Sequence, residues 1–422
     1  MKRGKVLCVA GVLSVAFLLT VILLFAVNPP QGMGIRQFSF VSWNVGDVLG
    51  RYEDGPQISY LLNEAADVAG VQEDFCKSIY NSVSPHYEYR ATYNNCFNEP
   101  YSLYTSGLSV FSHNLDRVNP PQLKIESVAF RKWNNCQGLD CQAQKGFVLV
   151  KLFVPLLTSS GSTFEMPVHY YDLHLNAGPS SVTRRLQLIQ LKSFMNTYSV
   201  GMSVIVAGDF NLSYQDHYDR DDLISFMNDQ SLSMANDPNI PTGGSETIDY
   251  VLFRTGDSRE SLQIPYCAVD EDSDGLSDHL ALTAQIQFSA NYDAYPDLVV
   301  TDVLSFEYDP LFDGTGKGIA QVVVKNEGPA AVSVPSPMYM TIQTIKYNNG
   351  IGSCPPLLPG HSAVVDVEYY TPQGQIPEYY TDVNIVVTAD RTTDVLKGGL
   401  TRENNEKNNT LTKWVPIIWT TF

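Results

Sequence analysis

Hydrophobic and polar positions change their rhythm once along this chain. Up to about residue 290, apolar runs of strand length alternate with stretches of helical period; beyond it, only short alternating runs recur. Phe38 to Trp43 alternates and stops at Asn44, as a half-buried strand does. Gln57 to Val68 carries Ile58, Leu61, Leu62, Ala65 and Ala66 at helical spacing. A short strand, Val68 to Gln72, is closed by Glu73. The stretch from Phe75 to Gly107, rich in Asn, Tyr and Ser, reads as loops around one strand near Tyr87 to Tyr93. Strands follow at Leu108 to Phe111, Ile125 to Phe130, Gly146 to Val154 and Val168 to Leu175. Ser181 to Tyr198 has the period of a helix, with Val182, Leu186, Ile189 and Phe194 predicted on its apolar face. Arg184 and Arg185 are then expected to face solvent or a site.

Val204-Ile-Val-Ala207 reads as a buried strand, and Gly208 allows the backbone to turn. Asp209 and Asn211 then leave the strand end on one side, because side chains two apart share a face. An ordinary Asx turn accounts for the same residues. An acidic helix near Asp221 to Asn228 and strands at Ile248 to Phe253 and Leu280 to Phe288 follow. Hairpin-paired strands with helices inserted between groups of them predict an α+β two-sheet sandwich covered by helices. From Asn291-Tyr-Asp-Ala-Tyr-Pro296 onward the pattern gives strands at Leu298 to Val303, Ala320 to Lys325, Tyr339 to Ile345, Ala363 to Glu368 and Val383 to Ala389. Their spacing fits an antiparallel β-sandwich.

At the other end, Lys2, Arg3 and Lys5 precede an uncharged apolar run from Val6 to Val27. About 20 such residues span a hydrocarbon core as a helix, and a positive flank stays inside. Residues 1–28 are therefore expected to be a signal anchor, with a cleaved signal peptide as the alternative. Residues 29–36 form a Pro/Gly linker, 37–290 the first domain and 291–422 the second. The chain is expected to be exported: membrane-anchored with its domains facing outward, or secreted if the segment is cut.

Composition narrows the partners. The 422 residues include 27 Lys and Arg against 45 Asp and Glu, a formal charge of −18, the opposite of a nucleic-acid binder's basic footprint. Seven cysteines suit an oxidising compartment. Cys76 with Cys96 and Cys136 with Cys141 are close enough for local bridges, Cys8 lies in the apolar run, and Cys267 and Cys354 are left open. No Cys/His spacing resembles a zinc site.

The candidate chemistry sits at strand ends: Asn44, Glu73, Asp172, His174, Asn176, Asp209, Asn211, Asp249, Asp278 and His279. Sites form where several strand ends converge on one sheet edge. Taken together, Trp43-Asn44, Gln72-Glu73, Asp172-Leu-His174-Leu-Asn176, Gly208-Asp209-Phe-Asn211, Ile248-Asp249-Tyr-Val and Ser277-Asp278-His279-Leu resemble the ordered motifs of the endonuclease/exonuclease/phosphatase superfamily, from about Phe38 to Phe288. The resemblance implies a four-layer, deoxyribonuclease-I-like sandwich that hydrolyses phosphate esters with a divalent metal, usually Mg²⁺. It implies Glu73 as metal ligand, with Asn44 beside it and Asp278 a further or outer ligand. It also implies His279 as general base, Asp249 as the carboxylate that fixes its tautomer, and Asp209 positioning the water. Asn211 and His174 would donate to the phosphoryl oxygens, and Asn176 would add a substrate contact. These are the parts phosphodiester hydrolysis needs, since an anionic substrate repels its nucleophile until charge is neutralised.

Lys145-Gly-Phe-Val, His174-Leu-Asn-Ala and the helix after them resemble more narrowly the neutral, Mg²⁺-dependent sphingomyelinase branch, which implies a phospholipid substrate and Lys145 as a phosphate contact; a simple strand start accounts for Lys145 equally well. Bacterial members carry an aromatic membrane hairpin before the final Asp-His. Here Arg254 to Ser277 reads as short and acidic, with only Tyr266 aromatic, so any membrane contact is expected instead from Phe97 to Tyr104, for which a mobile surface loop is the simpler account. Asp270-Glu-Asp-Ser-Asp274-Gly275 opens like a calcium loop but lacks its closing Glu and reads as a solvated turn. The C-terminal Asp297-Leu-Val-Val, Val324-Lys-Asn-Glu-Gly-Pro329 and Glu403 to Thr410 resemble an immunoglobulin-like adhesion module, with a glycosylation sequon at Asn408. The rival readings are an extracellular deoxyribonuclease of the same fold, which would bring nucleic acid as partner, and a surface adhesion protein that has lost its activity.

Overall fold

The computed structural model describes residues 33–46, 54–75, 77–92, 105–116, 122–158, 161, 163–310, 316–332, 335–343, 350–371, 381–390 and 409–419. The apolar segment before residue 29, Cys76, Cys96, the Phe97 to Tyr104 stretch and Asn408 lie outside them. No helix among the described residues is long and apolar enough to cross a membrane.

Twelve strands make the N-terminal body. In one sheet the order is β3 (Tyr87–Thr92), β4 (Ser109–Asn114), β2 (Val68–Gln72), β1 (Met33–Asn44), β12 (Ala281–Asn291) and β11 (Glu260–Asp270). The other runs β5 (Lys124–Lys132), β6 (Gly146–Thr158), β7 (Thr163–His174), β8 (Val204–Asp209), β10 (Asp249–Arg254) and β9 (Ser233–Met234). The two join at one corner, where β1 pairs with β6 at Gly34 and Ile35. Gly34 is required there: a Cβ would lie 2.6 Å from the Phe164 ring and 2.8 Å from Leu156.

Three cores separate the layers. Phe38, Phe40, Val148, Val150, Val168 and Ile205 fill the space between the sheets. Helices α1 (Asp54–Glu64) and α2 (Ser78–Val83) cover the outer face of the first sheet through Tyr60, Leu61, Ile79 and Val83. Helices α3 (Ser181–Tyr198) and α4 (His217–Gln230) cover the second through Leu188, Leu191, Met195, Leu223 and Phe226. The result is the four-layer, two-sheet sandwich of the sequence reading. Helix ends follow their capping residues: Ser180 accepts from Thr183 N at 3.3 Å, and Asp216 from Tyr218 N and Asp219 N at 2.9 and 3.1 Å.

The sequence reading of α3 is corrected in orientation. Val182, Leu186 and Ile189 are exposed, while Arg184 and Gln187 are buried with Leu188, Leu191 and Met195. Arg184 turns inward because Asp219 receives it bidentately at 2.9 and 2.8 Å, a pairing that offsets the cost of burying the charge. The stretch after Arg254 is likewise corrected: about half of it is strand β11, an edge strand paired along β12.

After β12 a short turn leads to Tyr295, which packs in the core between the sheets. From Leu298 a separate core begins. Seven strands, β13 (Leu298–Pro310), β14 (Gly316–Asn326), β15 (Ser336–Ile342), β16 (Gly350–Cys354), β17 (Ser362–Thr371), β18 (Asp382–Ala389) and β19 (Thr410–Trp419), close in the order β13-β14-β17-β16-β15-β18-β19. This ring is consistent with a β-sandwich; β16 and β19 were not among the strands read from the sequence. Cys267 sits in β11 and Cys354 in the C-terminal core, whereas Cys136 and Cys141 are bridged.

Candidate active site

The site lies where β1, β2, β7 and β8 end and β10 begins. Strand pairing sets this: β1 runs parallel to β2, bringing Asn44 opposite Gln72. In the second sheet β7 runs parallel to β8, bringing His174 opposite Asp209, and β10 lies antiparallel with Asp249 opposite Asp209. Gly208, at φ 133°, allows the close approach; a Cβ there would meet Leu173 O at 2.1 Å. Asn211 is left-handed (φ 49°), and its N–H donates to Asp209 Oδ1 at 2.8 Å. The Asx turn expected of these residues therefore exists, and it also aims the second carboxylate oxygen into the site.

Asp209 Oδ2 is the hub. It accepts from Asn44 Nδ2 at 2.9 Å and lies 3.2 Å from His174 Nε2 and 3.9 Å from His279 Nε2. Glu73, at a left-handed φ of 60°, places Oε1 3.6 Å from His174 Nε2. Asp249 Oδ2 stands 2.9 Å from His279 Nδ1, and Asp249 N donates to Thr242 Oγ1 at 3.0 Å. Among the described residues, two groups have ligand atoms close enough to share a cation: Glu73, His174 and Asp209, and Asp209, Asp249 and His279.

The electrostatics follow from this crowding. Burial would raise Asp209, but the His174 and His279 imidazoles hold its carboxyl well below the ordinary range. Burial likewise works against a charged His279, yet the carboxylates of Asp249, Asp209 and Asp278 outweigh it and push the imidazole up to about 10. Asp249 is raised, chiefly by its own burial. His174 is fully buried and, among the described residues, neither of its ring nitrogens completes a hydrogen bond. A buried donor-acceptor ring left open beside two carboxylates fits a site that receives a ligand. Oxygen donors from Glu73 and Asp209, with the Asn44 amide alongside, suit a hard divalent cation.

The remaining predicted residues are less free. Asn211 Nδ2 donates to Leu175 O at 3.2 Å. Asn176 accepts from Gln137 N at 2.8 Å and donates to Ala177 O, so its amide is engaged by neighbouring loops. Lys145 is buried and paired with Asp140 at 3.0 Å, in the loop bridged by Cys136 and Cys141. Asp278 is exposed at the rim and stands outside both cation-capable groups.

Three supports were not assigned from the sequence. Ser277 Oγ donates to Asn44 O at 2.8 Å and accepts from His279 N at 3.2 Å, tying the two strand ends together. Thr242 holds the start of β10. Arg184 donates to the carbonyls of Asn176 and Gly178 while held by Asp219, fixing the loop after His174. The Ser next to Asp278-His279 was the one visible signal among these.

A family model described as endonuclease-reverse transcriptase matches residues 177–283. A sphingomyelinase of Mycobacterium bovis is 26% identical over 260 residues, covering 55% of this chain and 48% of that protein. The chain thus spans about half the length of the curated relatives it matches. Sphingomyelinase C from Streptomyces griseocarneus is 18% identical with a TM-score of 0.43, covering 59% of this chain and 99% of that one. A Staphylococcus aureus beta toxin with bound magnesium ions is 17% identical with a TM-score of 0.42, covering 59% and 99%. The match to the family model falls within the N-terminal body. Sphingomyelinases recur among the named proteins the chain is similar to.

Proposed function

We infer that this chain is an exported, divalent-metal-dependent phosphodiesterase that acts on a phospholipid in the manner of a sphingomyelinase. The observation that carries the reading is Asp209 Oδ2, a single oxygen within 2.9 Å of Asn44, 3.2 Å of His174 and 3.9 Å of His279. A divalent cation such as Mg²⁺, held by Glu73 and Asp209 beside Asn44, supplies charge neutralisation, both of phosphoryl oxygens and of the carboxylate field that keeps His279 protonated up to about 10.

The chain's own residues do the rest. Asp249 holds His279 Nδ1, leaving Nε2 facing the hub to take a proton from the attacking water. Asp209 accepts from that water and orients it. His174 Nε2 and Asn211 lie where donors meet the charge that grows on the phosphoryl oxygens. Lys145, behind Asp140, adds positive potential to this pocket. Export is supported by the apolar run Val6 to Val27 behind three cations and by the Cys136–Cys141 bridge, which suits an oxidising compartment. The relatives named sphingomyelinase favour a lipid over nucleic acid as substrate.

Chelation tests the reading. Hydrolysis of sphingomyelin and of a soluble phosphodiester should fall to background in chelator and return with Mg²⁺. Undiminished turnover in chelator would overturn the metal role, and preference for plasmid DNA over sphingomyelin would overturn the substrate.

A further inference from the structure

Helix α3 carries two apolar stripes, and only one is used by the fold. Leu188, Leu191 and Met195 face the second sheet, while Val182, Leu186 and Ile189 are 54%, 39% and 55% exposed. The outward stripe begins at the site end of the helix. Leu139, 78% exposed, lies beside it in the bridged loop, where its neighbour Asp140 accepts from Ala177 N. That loop is itself bound to the site, because Trp133 Nε1 donates to His174 O at 2.7 Å and Gln137 N to Asn176.

Charge distinguishes the two sides of the stripe. Toward α4, Lys192 is matched by Asp229 at 2.5 Å, and Arg185 lies close enough to Asp222 to offset part of the rise that burial gives its carboxyl. Toward the edge strand β5, a cleft of about 470 Å³ runs past Arg131, Leu186, Ile189 and Phe194, and among the described residues no carboxylate lines it. Arg131 stacks 5.4 Å over the Phe194 ring, and Lys132 follows it at the exposed end of β5. On the β5 side, exposed aliphatic side chains flanked by cations stand out on a chain of net charge −18.

We propose that this face, Leu139 with Val182, Leu186 and Ile189 beside Arg131 and Lys132, docks on an anionic bilayer surface and holds the site mouth against the lipid. Aliphatic groups enter the acyl boundary while neighbouring cations meet acidic headgroups. A nucleic acid would match the cations but leave the aliphatic stripe unused, which is why a bilayer is the better occupant. The proposal rests on the phosphodiesterase reading only for the statement that docking serves catalysis.

The full chain tests it, with an environment-sensitive fluorescent amino acid in place of Leu186 or, as control, of Val200 at the far end of the helix, which is 74% exposed. Vesicles of phosphatidylcholine containing phosphatidylserine should shift the emission at position 186 toward that of an apolar surrounding and leave position 200 unchanged. Equal shifts, no shift, or a shift produced by DNA instead would overturn the proposal. In parallel, the double variant Leu186→Asp, Ile189→Asp should require about tenfold more vesicle lipid for half-maximal hydrolysis, with hydrolysis of bis-p-nitrophenyl phosphate unchanged. An unchanged vesicle requirement in a folded variant would refute the docking role. A selective shift at position 186 in a protein that hydrolyses no phosphodiester would support the docking face while removing the function proposed above.

Discussion

Strand β8 of the sandwich is buried at every position from Val204 to Asp209, whereas β18 of the C-terminal ring alternates buried and part-exposed residues along its length. The first pattern belongs to a strand covered on both faces, the second to one with a wet side. The polar contents differ in the same sense. The sandwich buries Asp172, His174, Asp209 and Asp249 near one edge, while from Leu298 onward Asp390 is the one buried carboxylate among the described residues. Burying charge costs free energy that folding alone does not return. The cluster of such groups at one edge of one body marks where this chain gives up stability for chemistry, and the other body keeps its core nearly free of charge.

Removing the base should produce the largest departure. His279→Ala takes away the group held by Asp249 and facing Asp209, and turnover of a soluble phosphodiester should fall by about 10²–10⁴-fold with the circular dichroism spectrum unchanged. A rate near wild type would mean that the buried polar edge is not the reactive one, and the contrast between the two bodies would lose its functional meaning.

A second test reverses the roles. Ile385 is fully buried in the C-terminal core. Ile385→Ala should destabilise that ring by about 2–5 kcal/mol, seen as an early unfolding transition, with soluble-substrate hydrolysis left near the wild-type rate. If hydrolysis fell in step with the lost ring, the two bodies would be coupled and the apolar one would be part of the enzyme.

Much of the site was visible in one dimension because its residues end strands. Strand identity is local, so Asn44, Glu73, His174, Asp209 and Asp249 could be placed from apolar runs stopped by a polar residue. What escaped depends on partners distant in sequence. Gln187 turns inward on α3 because Asn135 O and Asn176 N meet its amide at 2.8 and 2.9 Å, and Arg184 because Asp219 does. With two polar residues drawn inward, the apolar stripe that looked like the core face was displaced outward. β11 was missed for a related reason: as an edge strand it pairs only with β12 and carries Pro265 in its middle, so no strong alternation marks it. Lys145 shows the limit of motif reading in another way. Its place in the chain suggested a free phosphate contact, and only the fold reveals Asp140 already beside it.

The subtlest test concerns the layer beneath the site. Asp172, fully buried between the sheets, accepts from Gln72 Nε2 at 2.6 Å and Tyr170 OH at 3.3 Å, while its second oxygen completes no side-chain hydrogen bond among the described residues. Burial raises its carboxyl well above the ordinary range, more than those two donors and the Leu173 backbone lower it. The sign of the effect on stability follows from proton counting. From about pH 4 upward the unfolded chain releases this proton while the folded chain retains it, so the contribution of Asp172 is full in acid and is lost as pH rises. Asp172→Asn keeps the shape and the accepting oxygen but has no proton to lose. It should therefore melt higher than wild type at neutral and alkaline pH, by about 2–4 °C for each kcal/mol recovered, with the difference vanishing in acid. A melting difference that does not change with pH would show that Asp172 carries no retained proton, and that the buried carboxylates of this body are not all held there against a cost.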